Sequence, residues 1–387
     1  MIGATLSGVT FISVPGWVGT SGFSYLQMVF GYLVGYFVIA TVLMPLYYKM
    51  NLVSIYGYLE QRFGFWSYKT GAFYFLLSRT IGAAFRLFLV AGVLQLAIFD
   101  AWNIPFHITV LVTITLIWLY TFRGGIKTIV WTDTLQTLFM LTAVVLSIYT
   151  IGNELDLTTS GMIASVKEST YSKVFFWDWQ DSKNFFKQFI SGAFIAIVMT
   201  GLDQDMMQKN LTCRNLQDAQ KNMFWFSGTL VFVKLLFLML GALLYIYANE
   251  RGIGIPERTD DLFPMMALDY FPFAAGIAFL LGITAAAYSS ADSALTALTT
   301  SFCVDFLGFK REDTLELKIK QRRIRVLVHI GFSLVLFVMI VIFREFLDGA
   351  VIQRVFEAAG YTYGPLLGLY AFGLFTNKAV RDPLVPL

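Results

Sequence analysis

Charged residues are scarce in this chain of 387 residues, of which 14% are Asp, Glu, Lys or Arg and 57% are hydrophobic. Soluble domains carry about 25% charged residues, so the composition excludes a soluble enzyme, a disordered chain and a nucleic-acid-binding module. Two cysteines are too few for a disulfide framework, and two histidines are too few for a histidine-based metal site. The mean hydropathy of +0.68 indicates a protein that crosses the bilayer repeatedly.

Enzyme motifs are missing from the sequence. It contains no HExxH, GxSxG, P-loop or GxGxxG pattern of the kinds that mark metalloproteases, hydrolases and nucleotide-binding proteins. Both histidines, His107 and His329, fall at the ends of apolar stretches rather than beside a serine or a carboxylate. We therefore expect a protein that is not an enzyme.

About ten stretches are apolar for long enough to cross a bilayer, which takes about 20 residues of helix. They predict an all-α polytopic membrane protein with about ten transmembrane helices. The stretches cover residues 1–20, 24–47, 67–98, 105–121, 126–150, 184–205, 224–248, 272–306, 326–344 and 350–376.

Lysine and arginine are unequally distributed between the two sets of loops, and this bias sets the orientation of a membrane protein. Loops after even-numbered spans, together with the C-terminal tail, carry 17 basic residues, whereas the opposite loops carry 8. We expect an integral, multi-pass protein of the plasma (inner) membrane with both ends of the sequence in the cytoplasm.

Two sets of five spans would be inverted relative to each other, as in many secondary transporters. We expect one transmembrane transporter domain over 1–387, with helices one to five in 1–150, helices six to ten in 184–376, and an extracellular connection at 151–183. Interruptions at Ser13–Gly16 in helix one and Thr200–Asp205 in helix six indicate a binding site near mid-membrane. The alternative is that proline and glycine are simply common in membrane helices.

Helix eight carries the densest set of polar side chains. Ser289, Asp292, Ser293 and Thr296 fall on one face at positions i, i+3, i+4 and i+7, with Ser290 beside them. Hydroxyl oxygens and a carboxylate suit a hard cation, and ionisable groups inside a bilayer are costly enough to indicate function. The alternative is ordinary hydrogen bonding between helices, which requires no carboxylate.

Other charged residues also lie within or near the spans. Asp133 opens span five, where it is either a ligand or a solvated residue at the membrane surface. Lys234 lies about ten apolar residues from either end of span seven, which favours an interior partner over snorkelling. Arg79 and Arg86 in span three are expected to face the bundle interior, with a helix–helix ion pair as the alternative.

Several segments resemble the sodium/solute symporter (SSS) family, in the family's order and over nearly the whole chain. They are Gly3–Gly8, Ser13–Gly16, Met44–Tyr48, Ser54–Phe63, Gly124–Lys127, Trp131–Asp133, Asp203–Gln204 with Gln208, Tyr288–Ser290 through Val304–Asp305, and Gly360–Pro365. The resemblance implies an inverted 5+5 repeat, the LeuT-like fold, with helices one and six interrupted. It also implies truncation at both ends, because the family usually has a helix before this core and others after it.

The resemblance implies a common sodium site formed by backbone carbonyls of Gly3, Leu6 and Ala286 and by the hydroxyls of Ser289 and Ser290. An unwound backbone frees carbonyl oxygens, and five oxygens can replace the hydration shell of a small cation. Na+ is thus the expected coupling ion.

Some branches of the family bind a second sodium ion, and the matching residues here are Asp133, Ser289, Asp292 and Ser293. Asp292 stands where the aligned branch has a serine. Two carboxylates around one site either hold sodium more tightly or leave one carboxyl protonated, so the stoichiometry stays open.

The resemblance places the solute beside helices one, two, three, six, seven and ten. The sugar-carrying branch has polar groups where this chain has Val9, Met199 and Phe356, so a sugar pocket is not supported. A positive charge at Lys234 favours a small organic anion or another polar metabolite. The matching positions are Thr5, Ser7, Val9, Thr10, Gln27, Met199, Lys234 and Phe356.

These features together predict a sodium-coupled secondary active symporter that imports a small polar solute by alternating access. Its expected partners are the solute and the lipid bilayer, with no nucleic acid and no obligate protein partner. The alternatives are a transporter-like membrane sensor and a solute-gated channel or uniporter without ion coupling.

Overall fold

The apolar stretches form helices in the computed structural model of the chain. The structure describes the backbone of residues 5–50, 54–121, 126–309, 315–346 and 350–386, and within these ranges the side chains of all residues except 120–132, 287 and 315. The ten principal helices are α1 (Val14–Ser21), α2 (Tyr25–Val38), α3 (Phe65–Leu94), α4 (Phe106–Thr121), α5 (Ile126–Glu154), α6 (Phe185–Ala196), α7 (Leu216–Arg251), α8 (Phe273–Ser301), α9 (Leu315–Phe346) and α10 (Val351–Phe375).

Shorter helical segments extend or connect these helices. Wider π-helical turns precede α1 and follow α2, α3, α6 and α8, and another lies shortly before α8. These turns are Val9–Ser13, Ile39–Leu43, Gln95–Phe99, Ile197–Gly201, Phe302–Phe306 and Met266–Tyr270. The short α-helices are Met44–Met50, Gly57–Arg62, Thr159–Glu168, Gln204–Leu211 and Leu262–Met265.

Six helices in the described part of the chain are long and apolar enough to cross a membrane. The number is seven if Phe185–Gly201 and the short helix Gln204–Leu211, which meet at a bend, are counted as one further span. One of the six, Val9–Met50, contains both α1 and α2, which Gly22 separates with a left-handed φ of 54°. The prediction of an all-helical protein with several membrane-spanning helices is therefore confirmed.

The first helix is interrupted earlier than expected. From Val9 to Ser21 it runs without a break, so the predicted interruption at Ser13–Gly16 is wrong. Pro15 follows the π-helical turn Val9–Ser13, and the helical backbone continues through Ser13 and Val14 into α1. Helical structure is lost instead at Leu6 and Ser7, just before the π-helical turn Val9–Ser13.

Four helix pairs form much of the bundle: α5 with α8, α2 with α6, α3 with α10, and α1 with α7. Small residues permit the closest of these approaches. A Cβ on Gly31 of α2 would collide with the carbonyl oxygen of Phe189, and a Cβ on Gly192 of α6 would collide with that of Met28. These reciprocal contacts bring the two backbones together and fix α6 against α2.

Replacing Gly192 by alanine should lower stability by about 1–3 kcal/mol, because the Met28 carbonyl belongs to the backbone and cannot rotate away from the added methyl group. The matched control is Gly228→Ala in α7, where an added Cβ meets no described atom within 4 Å. The thermal unfolding midpoints of the two purified variants in detergent provide the test. Equal midpoints would contradict the close packing of α2 and α6.

Candidate functional site

Helix six is broken where the sequence predicts. The chain bends by 69° between α6 with its π-helical turn and the short helix Gln204–Leu211. An unpaired backbone carbonyl inside a bilayer costs several kcal/mol, and the bend leaves two of them without helical partners. The Tyr47 hydroxyl donates to the Gly201 carbonyl and the Tyr56 hydroxyl to the Leu202 carbonyl, both at 2.9 Å. Side chains from other parts of the chain therefore stabilise the broken backbone.

Asp203 stands at the centre of this bend and is only 1% exposed. Its Oδ1 accepts a hydrogen bond from the Met206 N–H at 3.0 Å and so caps the short helix. Its Oδ2 accepts from the Tyr363 hydroxyl at 3.1 Å and lies 3.6 Å from Arg79 Nη1. The carboxylate thus connects the broken helix to α10 and α3.

Asp205, two residues further on, anchors a second set of polar contacts. Its Oδ2 lies 2.7 Å from Arg79 Nη2 and 3.4 Å from Lys209 Nζ, and it accepts a hydrogen bond from the Ser293 hydroxyl at 2.7 Å. Lys209 also donates to Ser293 Oγ at 2.9 Å. One carboxylate oxygen therefore joins the short helix to α3 and α8.

Residues predicted for a second sodium site lie where α5, α8 and the short helix Gln204–Leu211 meet. Ser289 Oγ donates to Asp133 Oδ1, and Lys209 Nζ lies 4.0 Å from the other oxygen of that carboxylate. Lys209 in turn contacts Ser293. Asp292, 4% exposed, accepts a hydrogen bond from the Thr296 hydroxyl at 3.3 Å.

The residues predicted for the common sodium site fall on the break of helix one and on α8. Gly3 lies outside the described residues. Leu6 is at the break, and its carbonyl accepts a hydrogen bond from the Gln136 side chain of α5. Ala286 and Ser289 are buried, and Ser290 is half-buried.

The start of helix one packs directly against α8. A Cβ on Gly8 would lie 3.3 Å from the side chain of Ile283, and the ring of Phe11 stacks on Phe279 with centroids 5.3 Å apart. Ile283 is less than one turn from Ala286 along α8. The break at Leu6 is thus placed beside the helix that supplies the predicted hydroxyl ligands.

A cavity of about 110 Å³ lies between residues 5–10, which precede α1, and helices α2, α3, α6, α7 and α10. It is mainly lined by hydroxyl, aromatic and basic side chains. Seven of the eight residues predicted to bind the solute line it: Thr5, Ser7, Val9, Thr10, Met199, Lys234 and Phe356.

Gln27 is the predicted residue that does not line the cavity. It is fully buried, and its side-chain amide donates to the carbonyls of Lys183 and Ser24 and accepts from the Phe176 N–H. These bonds hold the connection before α6 against the start of α2. In this structure, Gln27 therefore stabilises the packing of the connection and does not contact the cavity.

Three basic side chains reach the cavity wall. Arg79 is balanced by Asp203 and Asp205. Lys234 donates to the Thr10 hydroxyl at 2.9 Å and lies 5.5 Å from the centre of the Tyr25 ring. In the described part of the chain, neither Lys234 nor Arg86 forms an ion pair with a carboxylate. The cavity is therefore electropositive.

Sequence reasoning did not identify Lys209, Asp205 or Gln136 as site residues. The sequence analysis places Lys209 in a loop between two spans, but the residue lies in the short helix Gln204–Leu211 and its side chain is only 27% exposed. Its i, i+4 spacing from Asp205 was a detectable signal of an ion pair. No sequence pattern links Gln136 to Leu6, because that contact depends on how α5 packs.

Two interrupted helices beside an electropositive cavity within a helical bundle define a polytopic membrane transporter. The sodium:solute symporter family model matches residues 1–382, and the chain belongs to this family. Its members are secondary transporters rather than enzymes, so the prediction of a sodium-coupled, non-enzymatic carrier is confirmed.

Two relatives are sodium/sialic acid symporters. That of Aliivibrio fischeri is 26% identical over 97% of this chain and 74% of its own, and that of Proteus mirabilis is 27% identical over 97% and 75%. A solved sodium-coupled sialic acid symporter, bound to substrate and open outward, has a TM-score of 0.79 at 23% identity over 97% of this chain and 77% of that one. This likeness confirms the LeuT-like fold.

The N-terminal end of α10 is held against helix one and the connection between α7 and α8. The Val351 N–H donates to Asp260 Oδ2 at 2.8 Å, and the Ile352 N–H donates to Ser13 Oγ at 3.0 Å. Burial raises the pKa of Asp260 to about 6, and the hydrogen bonds that this carboxylate accepts offset only part of the effect. These bonds fix the turn of α10 that carries Phe356 to the cavity.

Asp260 should make the protein more stable in mild acid. A carboxyl whose folded-state pKa lies above its unfolded value of about 3.9 adds stability that is complete below that value and is lost as pH rises through about 6. The full difference is on the order of 3 kcal/mol, and about half of it falls between pH 7.5 and pH 5. We expect the thermal unfolding midpoint of the wild type to rise when the pH is lowered from 7.5 to 5, values roughly one unit either side of this pKa. The rise should be smaller in Asp260→Asn.

The matched control is Asp269→Asn, which changes an exposed aspartate before α8 and should keep the full rise. An identical pH dependence in wild type and Asp260→Asn would contradict the role given to Asp260.

Proposed function

We propose that this chain is a sodium-coupled symporter that imports a small organic anion by alternating access. The observation that carries the proposal is the pair of basic residues, Arg86 and Lys234, that face the central cavity without a carboxylate partner in the described structure. A positive charge inside a bilayer costs at least about 2.5–3.5 kcal/mol, so such charges are normally paired. An anionic solute would supply the missing partner.

Further support comes from the polar groups around these charges. Thr10 and Tyr25 hold Lys234 at the cavity, so its position is set before a solute arrives. The relatives from Aliivibrio fischeri and Proteus mirabilis are named for sialic acid, which is itself a carboxylic acid. We propose a carboxylate as the group that Arg86 and Lys234 recognise.

We propose that the coupling sodium binds at the break of helix one, to carbonyls of Gly3, Leu6 and Ala286 and hydroxyls of Ser289 and Ser290. In support, the break at Leu6 packs beside α8, and Ser289 donates to the Asp133 carboxylate, which leaves a hydroxyl oxygen lone pair for a cation. Asp133 would also add negative charge near the ion.

Coupling follows if the ion and the solute both stabilise one arrangement of helix one. Residues 5–10 carry the break at the sodium site and several side chains of the cavity wall, including Thr10. An ion that fixes this segment pre-forms the solute site, and by linkage the solute raises sodium affinity by the same factor.

We also propose that the chain is built from inverted halves, 1–150 and 184–376, with both ends cytoplasmic in the plasma (inner) membrane and 151–183 extracellular. The packing of α3 on α10 and α8 on α5, and of α2 on α6 and α7 on α1, is the pattern that two such halves would repeat. The excess of basic residues, 17 against 8, supports the orientation.

Replacing Arg86 or Lys234 by methionine should weaken carboxylate binding by about 10–100-fold, because each change removes a charge-assisted hydrogen bond while keeping an unbranched side chain. Binding of sialic acid and small carboxylates to purified protein in sodium buffer provides the measurement. The matched control is Lys221→Met, which removes an exposed lysine from the same helix as Lys234. Unchanged carboxylate affinity in both variants would contradict the proposed anion site.

Replacing Ser289 and Ser290 together by alanine should raise the sodium concentration for half-maximal uptake by at least about tenfold, because two ligand oxygens are lost. Uptake of sialic acid or a small carboxylate into proteoliposomes is measured with and without an inward sodium gradient. Ser227→Ala is the control, since that hydroxyl bonds to the Phe224 carbonyl of its own helix. Gradient-independent uptake by the wild type would contradict coupling, and an unchanged sodium requirement in the double variant would contradict the site.

A further inference from the structure

The first turns of α9 carry a dense group of basic side chains that neither the central cavity nor the proposed sodium site uses. Five of the eight residues at 318–325 are Lys or Arg, and none is acidic. In the described part of the chain, none of these five side chains forms an ion pair with a carboxylate. All five are exposed, and we refer to them as the α9 basic cluster: Lys318, Lys320, Arg322, Arg323 and Arg325.

The position of the α9 basic cluster along the helix places it at the surface of the hydrocarbon layer. α9 has 32 residues and is therefore about 48 Å long, whereas the hydrocarbon layer is about 30 Å thick. Residues 326–343 contain no Asp, Glu, Lys or Arg and rise by about 27 Å. Because this apolar stretch is long enough to span the layer, Arg325 lies at its edge and Lys318 about 10 Å further out, at the depth of the lipid headgroups.

Among the long apolar helices of the described chain, α9 offers the most surface to lipid. Only 17% of its most apolar stretch is buried inside the protein, against 44–61% in the other five. Beside the basic cluster, the side chains of Leu317 and Ile319 are 41% and 48% exposed. Exposed apolar and basic side chains on one segment suit a membrane interface, where alkyl groups contact acyl chains and charged ends reach phosphate groups.

Contacts with the end of α8 hold the start of α9 in place. The ring of Phe332 packs edge-on against Phe302, with centroids 5.9 Å apart, and His329 Nδ1 lies 3.2 Å from the Thr299 hydroxyl. The Arg325 guanidinium lies 5.9 Å from the centre of the Phe309 ring, just beyond α8. The basic cluster is therefore presented at a fixed position relative to the bundle.

We propose that the α9 basic cluster binds the phosphate groups of anionic lipids in the leaflet at which α9 begins, which is the cytoplasmic leaflet in the proposed orientation. The proposal goes beyond the proposed function, since it involves neither the solute nor sodium. Charges of one sign on consecutive turns repel one another, and a layer of anionic headgroups offsets this repulsion. Clusters of about four to eight basic residues directly outside a membrane helix are typical of such recognition.

Two other roles for the same residues lead to different behaviour. If the charges only orient α9 during membrane insertion, the folded protein does not distinguish anionic from zwitterionic lipids. If the partner is an acidic protein segment, a soluble polyanion binds more tightly than a lipid does. The headgroup depth of the cluster and the exposed Leu317 and Ile319 favour the lipid, because a soluble acidic segment offers no apolar layer to these two side chains.

The test is native mass spectrometry of the full chain in detergent micelles, titrated with phosphatidylglycerol or phosphatidylcholine. We expect the wild type to bind the first phosphatidylglycerol at least about tenfold more tightly than phosphatidylcholine, because each basic residue near an anionic surface contributes about fivefold. A variant with four glutamines should lose this preference. Glutamine keeps the helix propensity, and the four replaced side chains are exposed: Lys318, Lys320, Arg322 and Arg323.

The matched control removes the same number of exposed charges from the same proposed side of the membrane, but from separate segments. It carries glutamine at Lys49, Arg214, Lys221 and Lys378, and it should keep the preference of the wild type for phosphatidylglycerol. A second measurement needs no variant to fold. Phosphatidylglycerol should raise the thermal unfolding midpoint of the wild type, and this rise should shrink in high salt, which screens exposed charges.

Equal affinity of the wild type for the two lipids would overturn the proposal. So would an unchanged preference in the folded cluster variant, or an equal loss in the control, which would assign the effect to total charge. Glycerol phosphate that stabilises the wild type as strongly as phosphatidylglycerol would identify a free phosphate as the ligand. Polyglutamate that binds more tightly than phosphatidylglycerol would identify an acidic protein segment, and either result would overturn the assignment to lipid.

Discussion

The hydrogen bonds of the broken backbone are the constraint on which the site depends. A helix in a bilayer must satisfy its own carbonyl and N–H groups, and the chain departs from this at Leu6 in helix one and at the bend after Gly201. Gln136, Tyr47 and Tyr56 supply the missing donors from distant segments. The breaks are thus stable only within the assembled bundle, and a change in packing around them changes which carbonyls an ion can reach.

The charged side chains near the breaks differ in whether they form ion pairs. The acidic residues at the helix-six break pair with Arg79 and Lys209, whereas the basic residues of the cavity, Arg86 and Lys234, face an open space. The result is a division between acidic side chains beside α8, where we propose that the cation binds, and basic side chains at the central cavity, where we propose that the anion binds. Residues 5–10 lie beside both regions, and we propose that this segment connects ion binding to solute binding.

Local sequence signals predict the helices and the buried polar stripe of α8, because hydropathy and helical periodicity depend only on neighbouring residues. They misplace the helix-one break, because the helix continues through Pro15 after the π-helical turn Val9–Ser13, and no local pattern marks the loss of helix at Leu6. They also miss contacts across the bundle. Arg79 and Asp205 are separated by 126 residues, and their pairing follows from packing that no local pattern encodes.

Reciprocal linkage between sodium and solute tests the central claim most directly. The thermal unfolding of the purified chain can be followed while sialic acid or a small carboxylate is titrated in sodium buffer and in potassium buffer, because a bound ligand stabilises the folded state by mass action. The account predicts that sodium raises the affinity for the anion and that the anion raises the affinity for sodium by the same factor. Independent, additive stabilisation by the two ligands would contradict it.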